Sequence, residues 1–178
     1  MKGRECYGVS GDEMIIVDTG FISSLFKINR LELIKRHFEA EYVVIPHAVF
    51  EELSKTVFFA ELIQFIAVNE DSLDEKHWIL VKKAEIEIDE EKLGSGEKEA
   101  ISLAKKHNAL LLIDDRTARS VAKSENIMTA TLPEFLLDCK NARSLSKDDI
   151  STIIGLLEEK DFYKFKKEVL IRLKDCED

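Results

Sequence analysis

Residues 95–126 read SGEKEAISLAKKHNALLLIDDRTARSVAKSEN. The opening SGEKEAISLAKKHN spaces its apolar side chains as a helix does, ALLLI is apolar without a break, and two adjacent carboxylates end the run. A second helical stretch, RTARSVAKSEN, follows at once. A short, uninterrupted apolar segment between two amphipathic helices is the pattern of a strand buried on both faces. Such strands belong to parallel sheets, whose crossover helices cover them above and below.

The same alternation runs outward in both directions. MIIVD (14–18) is an apolar run ending in Asp, followed by helix-like TGFISSLFK and LELIKRHF. YVVI (42–45) is β-branched and aromatic, and Pro46 closes it and opens the helix HAVFEELSK. VFFAELIQFIAV (57–68) is apolar enough to predict a buried helix, HWILV (77–81) predicts another strand, and AEIEIDEEKLGSG alternates before turning loop-like. NIMTA is a short strand, and LPEFLLDCKNA a helix with Pro133 in its first turn. Strands alternating with helices predict the α/β class, in three layers around a central, mostly parallel sheet.

From Ser146 the character changes. SKDDISTIIGLLEEK and DFYKFKKEVLIRLKD read as two charged helices with the stripes Ile150, Ile153, Ile154, Leu157 and Phe162, Phe165, Val169. Two short helices hardly bury a core alone, so 146–178 is expected as a helical appendage on or beside a domain of 14–145, with 1–13 as an N-terminal extension.

Bulk properties narrow the function. The 178 residues are enough for one domain with a real core, and the net charge of −9 argues against binding nucleic acid through charge alone. It leaves room for an enzyme whose acids hold cations that meet phosphates. No run approaches the roughly 20 apolar residues of a membrane span, and MKGRECYGVSGDE lacks a signal peptide's apolar segment, so a soluble, cytoplasmic protein is expected. Cys6, Cys139 and Cys176 are widely spaced and lack CxxC, as reduced thiols would be.

In open α/β sheets, ligands bind outside the carboxyl ends of strands. Asp18 ends one strand and Asp114 with Asp115 another; were those strands neighbours, three carboxylates would converge. Helical spacing adds two more. In HAVFEELSKT the inward face reads Val49, Glu52, Leu53, Thr56, with Glu51 opposite; in GEKEAISLA it reads Glu97, Ala100, Ile101, Ala104, with Glu99 outside it. Converging carboxylates repel, raise each other's pKa and are relieved by a divalent cation, and oxygen-only donors favour Mg²⁺ or Mn²⁺ over zinc. Against this stands a plainer reading, in which Asp18 and Asp115 cap helices and Glu52 and Glu97 sit in first turns. Thr19 and Ser23 lie where they would reach the acids or a phosphate, or cap a helix. Arg116 and Arg119 would meet phosphate at the rim or form local ion pairs. The four His residues and Trp78 read as structural.

Four of these stretches together resemble the PIN domain, the fold of VapC-type toxin ribonucleases. IIVDTGFISSLFKINRLELIKRHF is similar to the family's opening, with Asp18 and Thr19 at its acid and hydroxyl. YVVIPHAVFEELSK is similar to its second motif, with Glu52 as the acid, and LGSGEKEAISLAKKHNALLLIDDRTARSVAKSENI to the third and fourth run together, with Glu97 as the third acid. Aligned on the family's Thr-x-Asp, Asp115 takes the metal-site Asp, Ile113 the Thr, and Asp114 stands beside them as a second acid. Thr129, Ala130 and Thr131 stand where relatives often carry Gly-Thr. The resemblance spans about residues 14–140. It implies Mg²⁺- or Mn²⁺-dependent endonuclease activity on RNA, often in a homodimer and sometimes with a small antitoxin protein, the catalytic and metal acids being Asp18, Glu52, Glu97, Asp114 and Asp115. The alternative is a PIN-fold RNA-binding or protein-docking module with little or no catalysis. Receiver domains and dehalogenase-type phosphatases place their acids after the first strand in pairs that Asp18-Thr19-Gly20 does not supply.

Overall fold

A computed structural model describes residues 14–175; the extension 1–13, and with it Cys6, and Cys176 lie outside the described residues. The apolar runs form six strands: β1 (Ile15–Val17), β2 (Val43–Pro46), β3 (Ile66–Ala67), β4 (Ile79–Lys82), β5 (Leu110–Leu112) and β6 (Thr129–Ala130). All pair in parallel, in the order β3-β4-β2-β1-β5-β6. The helices are α1 (Thr19–Lys27), α2 (Glu32–Phe38), α3 (His47–Leu53), α4 (Phe59–Leu62), α5 (Ser95–His107), α6 (Arg116–Ser124), α7 (Leu132–Asn141), α8 (Lys147–Lys160) and α9 (Lys167–Lys174).

Successive strand residues point to opposite faces, and the core divides accordingly. Ile15, Val17, Val43, Ile45, Leu110 and Leu112 pack with Phe21, Ile22 and Leu25 of α1, Phe135 and Leu136 of α7, and Ile150, Ile153, Ile154 and Leu157 of α8. Ile16, Val44, Leu80 and Leu111 pack on the other side with Ala100, Ile101 and Ala104 of α5 and Ala118 and Ala122 of α6. The result is the expected three-layer α/β/α fold, with an entirely parallel sheet.

The stripe of α8 is therefore continuous with the main core, and Leu173 of α9 joins it. On the same side, buried His37 of α2 meets Asp138 of α7 at 2.7 Å and Ser144 at 3.0 Å. Buried Trp78 is a core residue, and Cys139 is a buried free thiol. No helix among the described residues is long and apolar enough to cross a membrane.

Two stretches depart from expectation. Residues 57–68 do not form one buried helix: α4 is a single turn, a 3₁₀ turn Ile63–Phe65 follows, and β3 adds an edge strand to β4. Val57, Ile63 and Val68 are exposed, so apolar composition there does not correspond to one enclosed face. The second tail helix starts only at Lys167, and Phe162, counted in its apolar stripe, precedes it and is exposed.

Candidate active site at the carboxyl edge of the sheet

Strand order places the site. From β1 the chain crosses to β2 on one side, and from β5 to β6 on the other, so the order reverses between β1 and β5. A crevice opens at such a reversal. The two strands pair as Ile15 with Leu110, Ile16 with Leu111 and Val17 with Leu112, and the Asp18 N–H donates to the Leu112 carbonyl at 3.1 Å. Asp18, Asp114 and Asp115 thus leave the sheet at adjacent strand ends.

Asp18 caps α1, its Oδ1 accepting from the Phe21 N–H at 2.8 Å. Only 8% exposed, it is pushed from its ordinary 3.8 to about 7, chiefly by burial, opposed by the Phe21 N–H and reinforced by the charges of Asp114 and Glu97. Glu97 turns back to accept from the Gly94 N–H at 2.9 Å. Its pKa is also raised, by burial first and then by Asp115 and Glu52, against the lowering effect of Gly94. Glu52 reaches in from the last turn of α3, not from the first turn expected of it, because the helix runs only from His47 to Leu53, and it accepts a short hydrogen bond from the Thr19 hydroxyl.

Gly96 makes room for that reach. A Cβ there would lie 2.7 Å from Glu52 Oε1 and 3.1 Å from its Cδ, so the Gly in GSGE is a contact surface for a carboxylate on another helix.

The two neighbours at the end of β5 separate in role. Asp115 is exposed and caps α6, its Oδ1 accepting from the Ala118 N–H at 2.8 Å. Asp114 is more enclosed. Its Oδ1 accepts from the Leu132 N–H at 2.8 Å, at the start of α7, and its Oδ2 from the Tyr163 hydroxyl at 3.2 Å. Burial raises its pKa, against the Leu132 and Tyr163 hydrogen bonds. Burial and then Asp114 push the Tyr163 phenol upward in turn.

The remaining predicted residues are less central. Ser23 is half-buried, while its neighbour Ser24 donates to Asp161 at 2.5 Å. Arg116 is exposed at the start of α6, and Arg119 is engaged by Glu134 at 2.9 and 3.1 Å. Ile113 is buried in the core beside α5 and α6, and Thr131 caps α7.

Glu99 corrects the helical-face reading. Predicted to lie outside the inward face, it is 4% exposed. Its Oε2 accepts from the Ala48 N–H at 2.6 Å and its Oε1 from the Ala84 N–H at 2.9 Å. Helix α5 lies against α3 as well as the sheet, so its buried arc is wider than one stripe. The missing signal lay on α3: a helix opening at Pro46 has no side-chain cap of its own. Tyr163 was overlooked for a different reason, since it lies 49 residues from its partner Asp114.

Among the described residues no three His, Cys, Asp or Glu side chains are close enough together to hold a metal ion. The donor chemistry still suits a hard divalent cation: the groups are carboxylates, and Asp18 is desolvated beside like charges.

A family model described as a PIN domain matches residues 14–176, and the chain belongs to the PIN-domain family, a nuclease-type fold. No curated protein and no solved structure matches.

Proposed function

We propose that the chain is a Mg²⁺- or Mn²⁺-dependent endoribonuclease, and the VapC-like toxin of a toxin–antitoxin pair. The observation that supports this most is the buried Asp18 at the reversal of strand order, with the charges of Asp114 and Glu97 acting on it, those of Asp115 and Glu52 acting on Glu97, and Thr19 bonded to Glu52. A bound divalent cation would supply positive charge against the scissile phosphate and acidify water at the site. Asp18, Glu52, Glu97 and Asp115 would hold it. Asp114, with an oxygen given to Leu132 and another to Tyr163, would stand behind them and orient the β5 end. Thr19, next to Asp18 in the chain, donates to the Glu52 carboxylate. The test is cleavage of single-stranded RNA with added Mn²⁺: Asp18→Asn and Glu97→Gln should each lose at least about 100-fold in rate, and full activity in either would overturn the assignment.

A second reading, an RNA-binding or docking module with little catalysis, is favoured by one observation: no three acids stand at metal-holding distance among the described residues. Calorimetry with Mn²⁺ separates the two, because a module would bind RNA while showing no saturable uptake of the ion. The leading reading also takes the chain as a cytoplasmic homodimer neutralised by a small antitoxin. Light scattering in solution checks the dimer, and an overlapping short gene for a DNA-binding antitoxin checks the partner.

A further inference from the structure

Between α8 and α9 the chain reads DFYKFK, residues 161–166, without helix or strand. It is held on both sides of Phe162. Asp161 accepts from Ser24 at 2.5 Å and from Lys27 at 2.6 Å; the Tyr163 N–H donates to the Leu157 carbonyl at 3.0 Å, and its hydroxyl to Asp114. Phe162 itself is left 81% exposed, with φ of 53°. Of the other non-glycine residues at positive φ among those described, three are Asn, and none is aromatic. A bulky side chain is disfavoured there, whereas glycine is at ease. The fold thus holds an aromatic ring in solvent at a position where stability alone would choose another residue.

From Phe162 to Lys167 every charge is basic, while Asp161, Glu158, Glu159 and Glu168 flank the strip. Lys160, Lys164, Lys166 and Lys167 are exposed, and among the described residues none of them forms an ion pair, although Asp+Glu total 35 against 26 Lys+Arg in the whole chain. The ring of Phe165 lies 4.7 Å from that of Tyr163, which carries the segment onto Asp114. The strip therefore meets the site at Asp114. A chain of bases and phosphates matches such a path, because rings stack on bases and lysines neutralise phosphates ahead of an acidic site.

We propose that Phe162–Lys167 is the binding strip for single-stranded nucleic acid, with a base stacked on Phe162, phosphates on Lys164, Lys166 and Lys167, and Tyr163 fixing the strip to Asp114. The inference rests on the nuclease reading for its choice of ligand, but its test does not require cleavage. Fluorescence anisotropy of a labelled single-stranded RNA of about 12 nucleotides, in EDTA at several salt concentrations, measures binding by the full chain; the length exceeds the ~4-nucleotide lower limit of such sites. Phe162→Gly should weaken binding about 10-fold, within the range for loss of one stacked base, while keeping or raising the thermal midpoint. Replacing Lys164, Lys166 and Lys167 together by Ala should flatten the salt dependence by about 2 in log–log slope, at roughly 0.7 per phosphate contact.

Variants that bind like the wild type would overturn the strip, and if Mn²⁺-stimulated cleavage persists the nuclease reading survives that result. No binding by the wild type would overturn it as well. Loss of binding in the variants, with no cleavage by the wild type, would support the strip and sink the nuclease reading instead.

Discussion

Three helices that carry or flank the site begin at the carboxyl edge of the sheet, and they are capped in two ways. Helices α1 and α6 bring their own caps: Asp18 and Asp115 each accept, at 2.8 Å, from the backbone N–H three residues on. Helix α3 opens at Pro46 without one, and its Ala48 N–H is met by Glu99, 51 residues away. A local cap orders one turn. The remote cap also fixes α3 to α5 and to the end of β4, and so sets how Glu52 stands relative to Glu97. The comparison teaches that two neighbouring acids in GEKE divide the work: Glu97 faces the crevice and Glu99 holds the frame.

Removing the remote cap should therefore cost most. Glu99→Ala leaves the part-buried N–H groups of Ala48 and Ala84 without their partner, and should lower stability by about 2–4 kcal/mol in urea unfolding. Glu99→Gln should fall between the two, since an amide can accept at one end but presents a second donor at the other. A loss no greater than that of Asp115→Ala, expected at about 1 kcal/mol for an ordinary N-cap, would erase the distinction.

The Asp18 cap should make stability depend on pH. Asp18 has a folded pKa of about 7 against an ordinary 3.8, so the folded state holds a proton that the unfolded chain has released between those values. Wild-type stability should fall as pH rises through that window. In EDTA, Asp18→Asn should accordingly be more stable than wild type at pH 8, by on the order of a few kcal/mol, with the gap closing toward pH 4. Thermal unfolding of both proteins across pH measures it, and a constant gap would count against the burial of an ionisable Asp18. Asn retains an oxygen for the Phe21 N–H, which keeps the cap out of the comparison.

The smallest change in stability should come from Gly96→Ala. Helix propensity gains up to about 1 kcal/mol, offset by the contact with Glu52, a movable side-chain end. What it should change is the site: Glu52 has to leave its place beside Thr19, and Mn²⁺ affinity measured by calorimetry should drop about 10-fold or more, the scale seen when a group orienting a metal ligand is lost. Unaltered affinity would show that Glu52 is not needed for ion binding.

Much of this molecule follows from its amino-acid pattern. Uninterrupted runs such as ALLLI predict buried parallel strands, because only a sheet covered on both faces has no use for alternating polarity. The placement of Asp18 and of the pair at 114–115 at strand ends, and of Glu52 and Glu97 on helical faces, was legible because periodicity of 2 or 3.6 carries that information. Residues 57–68 were not, since apolar composition by itself does not distinguish a buried helix from short turns and an edge strand with side chains in solvent. What the tertiary structure alone decided are the contacts with no sequence period: the switch between β1 and β5 that brings Asp18 beside Asp114, the Glu99 carboxylate under α3, the approach of Glu52 to Gly96, and Tyr163 on Asp114. Local pattern determines which face a residue presents; only the packing of distant elements determines what it meets there.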